Sequence, residues 1–168
     1  MELFRGKEIS FVNIGSTILG VVYVALPLSL LTFLAFDTNN QYSYHLILSL
    51  FILVWLSDVG GYFAGVNFGK HKLLERISPK KTWEGVAGGV VLCIVGAYIL
   101  SQFLPTMNIY MWLVLGVLVS ISSIIGDLIE SMLKRSANIK DSGNILPGHG
   151  GILDRFDSVL FVIPIVYI

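Results

Sequence analysis

Four long apolar stretches dominate this chain and set the solvent it can fold in. They run about Ile14 to Phe36, Tyr44 to Ala64, Val86 to Leu104 and Ile109 to Ile129. A helix needs roughly 20 apolar residues to cross a bilayer, and each stretch is close to that length. A fifth begins at Phe156 and reaches Ile168 after 13 residues, too few to cross. Backbone surrounded by lipid must satisfy its own N–H and C=O groups, which stretches of this length do as helices. The expected fold is all-α, a polytopic integral membrane helix bundle with four full transmembrane helices plus a partial fifth. It forms a single membrane domain over residues 1–168. Charged residues make up only 13% of the chain, about half the share usual in a soluble domain. Pro27 is expected to kink the first helix. The lone Cys93 excludes an internal disulfide and reads as a small buried hydrophobe.

The charges sort to one side. Arg5 and Lys7 precede the first stretch. Lys70, Lys72, Arg76, Lys80 and Lys81 lie between the second and third, and Lys134, Arg135, Lys140 and Arg155 between the fourth and fifth. These are all 11 Lys and Arg residues. The other two connections, Asp37 to Ser43 and Pro105 to Asn108, contain none. The positive-inside rule then places the N-terminus and both charged loops in the cytoplasm. The expected location is the cell's inner (plasma) membrane. A net charge of zero removes the bulk attraction that nucleic-acid binding needs, so no nucleic acid is expected as a partner.

Carboxylates at the inner ends of apolar helices are costly unless paired, hydrated or metal-bound. Asp58, Asp127 and Glu130 are such residues. Glu130 and Lys134 have the spacing of an i,i+4 ion pair, whereas Asp127 has no basic residue at i±3 or i±4. Asp154 and Asp157 open the last apolar stretch, where acidic residues also suit a helix N-terminus. Aspartates 127, 154 and 157, meeting across one loop, would make an all-oxygen site suited to Mg²⁺.

Around these acids lie Lys134, Arg135, Lys140 and Arg155, with His149 among Gly148, Gly150 and Gly151. Such glycines let backbone N–H groups approach phosphate oxygens. In the earlier loop, Ser78 followed by Pro79 predicts a capped helix start, with Lys80 and Lys81 beside it to hold an anion. Gly61, Gly65 and Gly69, like Gly85 and Gly89, recur every four residues, the spacing of closely packed membrane helices. No Gly-x-x-x-x-Gly-Lys-Ser/Thr motif occurs, which argues against a P-loop nucleotidase.

The run Ser131-x-Leu133-Lys134-Arg135-x4-Lys140-Asp141-x-Gly143-x2-Leu146-Pro147-x-His149-Gly150-Gly151-x2-Asp154-Arg155-x-Asp157 resembles the signature of phosphatidate cytidylyltransferases (CDP-diacylglycerol synthases). Asp58-x3-Tyr62, Phe68-Gly69-Lys70 and Ser78 to Gly85 also look like segments of that family. The resemblance covers roughly Leu56 to the end. It implies transfer of CMP from CTP to phosphatidic acid, giving CDP-diacylglycerol and pyrophosphate, with Mg²⁺ as cofactor and K⁺ as an optional second ion. It implies Asp127 and Asp154 as metal ligands with Asp157 close by, and Lys134 and Arg135 beside them in the catalytic group. Lys80, Lys81, Lys140, His149, Gly150, Gly151, Arg155 and Asp58 are the expected substrate-binding residues. Loops 65–85 and 130–155 would form the active site, among membrane lipids and with a homodimer left open. Members of this family are longer, so the chain is expected to lack their N-terminal helices. Rival readings are another CTP-dependent lipid enzyme, such as a CDP-archaeol synthase or a polyprenol or phytol kinase, an ion transporter, and an inactive fragment.

Overall fold

The computed structural model describes residues 10–36, 41–104, 106–137, 139, 142–143, 151 and 153–167. Helices α1 (Ser10–Leu34), α2 (His45–Phe68), α3 (Trp83–Phe103) and α4 (Ile109–Ser136) are each long and apolar enough to cross a membrane. A shorter α5 (Leu153–Tyr167) follows. The protein is a polytopic helical membrane protein, as its apolar stretches require. α1 runs through Pro27 in one helix, and Cys93 is buried.

α4 extends beyond its apolar stretch. Its 28 residues correspond to about 42 Å, longer than the roughly 30 Å hydrocarbon core. Asn108 caps its start through Oδ1, which accepts from Met111 N–H at 2.9 Å. Lys134 and Arg135 occupy its last turn, where cations suit the helix dipole. The turns from Glu130 onward therefore extend past the apolar part and carry Glu130, Lys134 and Arg135.

One element departs from the expected helix start at Ser78. Ser78–Thr82 is a strand, β2, paired antiparallel with β1 (Lys72–Leu74), with Lys72 opposite Thr82 and Leu74 opposite Ser78. The helix cap is Thr82, whose Oγ1 accepts from Gly85 N–H at 3.2 Å. Starting α3 at Ser78 would have put Lys80 and Lys81 in the first turn, against the dipole. Starting it after Thr82 puts Glu84 there instead.

α2 packs most extensively on α3, α4 on α5 and α3, and α1 on α5. The α2–α3 contact is backbone against backbone. A Cβ on Gly60 would lie 2.7 Å from the Gly88 carbonyl oxygen, and one on Gly85 would lie 2.8 Å from that of Gly61. The apolar core, including Leu53, Ala97, Trp112, Val119 and Ile163, joins α2 to α5. This packing brings the hairpin and the α4–α5 connection to one end of the bundle.

Gly60→Leu is expected to destabilise the protein by about 1–3 kcal/mol, the usual cost of overpacking. Gly20→Leu, at a site with open space around it, should leave the thermal midpoint in detergent unchanged. Equal midpoints for the two variants would contradict the close α2–α3 contact.

Candidate active site

The hairpin and the adjoining ends of α2, α3, α4 and α5 enclose a cleft of about 700 Å³. Asp58, Asp127, Asp154 and Asp157 line it, facing Lys72, Lys80, Lys81 and Lys134. Gly61, Gly65 and Gly85 form part of its wall, so the same absence of side chains that lets α2 approach α3 also leaves room for a ligand.

Three carboxylates converge there. Asp127 and Glu130 lie one turn apart on α4, and Asp157 comes from the first turns of α5. One oxygen from each lies within 4.8 Å of the others. Gly126 allows this approach: a Cβ there would lie 2.7 Å from the Phe161 Cβ and 3.1 Å from the Asp157 carbonyl oxygen. Two lysines counter the charge. Lys81 Nζ, carried by β2, lies 2.5 Å from Asp127 Oδ2. Lys134 Nζ lies 2.5 Å from Glu130 Oε2 and 2.7 Å from Asp154 Oδ1. Glu130 is only 1% exposed, and its Oε1 has no hydrogen-bond partner among the described residues. With Asp58 and Asp154, five carboxylates thus gather where, among the described residues, Lys81 and Lys134 make ion pairs. A buried, unpartnered acidic oxygen beside two more carboxylates fits a hard divalent cation with oxygen ligands.

Asp154 lies beside this group rather than within it. Its Oδ2 accepts from Ser142 N–H and Oγ at 2.9 Å and from Gly151 N–H at 2.8 Å, and its Oδ1 accepts from Lys134. Partial burial opposes the charge on Asp154. These hydrogen bonds outweigh it and hold the carboxyl well below the usual carboxylate range. Asp154 therefore joins three segments, fixing Ser142 and Gly151 to the start of α5 and Lys134 to the end of α4.

Among the other expected residues, Lys80 and Lys81 line the cleft, as does Asp58. Arg135 and Arg155 are exposed on α4 and α5 and do not line it. Lys140, His149 and Gly150 lie outside the described residues. The Glu130–Lys134 pair formed as its spacing predicted. That pair accounts for Glu130 on local spacing alone, so its place beside Asp127 and Asp157 had no separate signal in the sequence. Lys72, another cleft residue, carried no local signal beyond its charge.

The profile described as the cytidylyltransferase family matches residues 1–168. The chain belongs to that family. It is 44% identical over 160 residues to a phosphatidate cytidylyltransferase of Bacillus subtilis (strain 168), covering 94% of this chain and 58% of that one. Proteins of the same name from Staphylococcus haemolyticus (strain JCSC1435) and Staphylococcus aureus (strain COL) are 42% identical over 163 and 164 residues, each covering 96% of this chain and 61% of the relative. The chain thus spans about three fifths of the length of the curated relatives it matches.

In this family member, Lys134 is the counter-ion of two poorly solvated carboxylates. Lys134→Met should cost about 3–5 kcal/mol, the penalty for leaving buried charge unpaired. Adding Glu130→Gln should recover part of the loss. Chemical unfolding of both variants checks this, and an unchanged midpoint for Lys134→Met would contradict it.

Proposed function

We propose that the protein transfers CMP from CTP to phosphatidic acid, giving CDP-diacylglycerol and pyrophosphate. The observation that carries this reading is the group of Asp127, Glu130 and Asp157, set among Lys81, Lys134 and Lys80 in a cleft at the end of a membrane bundle. The family match and the names of the relatives supply the nucleotide and the lipid. A polyprenol or phytol kinase would use CTP too, but the relatives are named for cytidylyl transfer. An ion path would spread charge through the membrane depth, whereas the lysines here cluster at one end of the helices.

The chemistry needs no strong base. Phosphatidate has a phosphate monoester headgroup with a second pKa of about 6, so at neutral pH its oxygen is already a nucleophile. It attacks the α-phosphorus of CTP, and the bond to the β,γ-pyrophosphate breaks. The difficulty is bringing two polyanions together. Asp127, Glu130 and Asp157 would hold Mg²⁺, which when bound neutralises phosphate oxygens and stabilises the developing charge. Lys80, Lys81 and Lys72 face the cleft from the hairpin and would take the phosphates of CTP. Lys134 stands between Glu130 and Asp154, where it can offset charge on the leaving pyrophosphate. Asp154 keeps Lys134 and the backbone N–H groups of Ser142 and Gly151 in register. The apolar faces of the helices hold the acyl chains in the membrane. The charged end of the bundle faces the cytoplasm on this reading, since CTP is available there.

Labelled CTP, phosphatidate and Mg²⁺ should yield a lipid that carries the cytidine label, and chelation of divalent ions should stop the reaction. Asp127→Asn and Asp157→Asn should each lower turnover by about 100-fold or more, the scale of a few kcal/mol of lost charge stabilisation. Asp154→Asn should lower both turnover and the unfolding midpoint. Label transfer as phosphate alone would point to a kinase, and near-normal CDP-lipid formation by Asp127→Asn would sink the assignment.

A further inference from the structure

The hairpin that presents Lys72, Lys80 and Lys81 has little to stabilise it on its own. A lone two-stranded hairpin is marginally stable in water, and three lysines on this one repel each other. Lys72 pairs opposite Thr82, the residue next to Lys81. Something outside the hairpin must hold it at the cleft.

Glu84 fills that role. It is the second residue of α3, directly after the strand, and neither it nor His71 lines the cleft. Its carboxylate accepts from Lys70 N–H at 3.1 Å and from His71 N–H at 3.2 Å, and His71 Nδ1 lies 2.7 Å from Oε1. The His71 carbonyl in turn accepts from Trp83 N–H at 3.0 Å. Both ends of the hairpin are thereby tied at one point, where α2 hands over to β1 and β2 to α3. Thr82 tightens the same point, since a Cβ on Gly69 would come within 2.9 Å of its side chain. Movement about this base would swing Lys72, Lys80 and Lys81 together, and would pull Lys81 away from Asp127.

We propose that Glu84, with His71, is a positioning residue for the triphosphate of the nucleotide: it clamps the basic hairpin so that its lysines face the cleft. This rests on the reading of CTP as a substrate. The clamp acts on nucleotide affinity and leaves the lipid side of the site alone.

The test uses the full chain in lipid nanodiscs, with Glu84→Ala, Glu84→Gln and wild type compared. Amide hydrogen exchange over residues 70–82 reads the clamp, and steady-state rates with each substrate varied read its effect. Glu84→Ala should speed exchange across the hairpin and raise KM for CTP about tenfold, as loss of hydrogen bonds to a charged group implies. KM for phosphatidate, and kcat at saturating CTP, should stay within about twofold. Glu84→Gln retains one acceptor oxygen and should fall between. An unchanged KM for CTP, or an equal loss for both substrates together with a lower thermal midpoint, would overturn the proposal. A wild type that forms no CDP-lipid would overturn the reading of the reaction instead. Exchange would then still decide the clamp, faster exchange in Glu84→Ala supporting it and unchanged exchange overturning it.

Discussion

Negative charge at the end of a membrane helix is costly unless it is paired, hydrated or metal-bound. Here that requirement organises the structure. Asp127 and Glu130 sit on α4 where its apolar part ends, and each has a lysine at 2.5 Å. One lysine comes from the same helix, the other from a hairpin between α2 and α3. Satisfying both draws the hairpin, α4 and α5 into one cleft. The site is a consequence of pairing charges that the membrane would otherwise exclude.

Backbone packing makes this geometry affordable. Glycines on α2 and α3 let the two helices touch, which fixes the base of the hairpin against α2. Gly126 does the same for α4 and α5 at the level of Asp127 and Asp157. A Cβ at these positions would separate the helices and move the carboxylates apart. Asp154 completes the frame by binding the backbone at Ser142 and Gly151 to Lys134. The cleft is thus built from small residues, which bring helices close, and charged ones, which then find partners.

Much of this was legible in the residues, for reasons that differ by element. The four spans follow from hydropathy, because bilayer thickness sets their length. Hydropathy reports lipid contact, however, and not helix. The charged continuation of α4 to Ser136 therefore lay beyond its apolar boundary. The Glu130–Lys134 pair was readable from i,i+4 spacing alone. The contact of Lys81 with Asp127 was not, since it joins elements distant in the chain. Ser78-Pro79 resembled a helix start because local capping chemistry carries no information about the strand at Lys72–Leu74. Glu84 looked like an ordinary first-turn acid, and its hold on Lys70 and His71 emerged only with the hairpin in place. The family signature ends in Asp154 and Asp157, both of which line the cleft. The grouping of Glu130 with Asp127 and Asp157 came from three-dimensional packing.

The central claim is that Asp127, Glu130 and Asp157 form one cation site served by the surrounding lysines. The most direct measurement is the position of Mn²⁺, located by its anomalous scattering in crystals of the protein grown with CTP. The account predicts an ion among these three carboxylates that disappears in Asp127→Asn. An ion bound away from them, or retained unchanged in that variant, would contradict it.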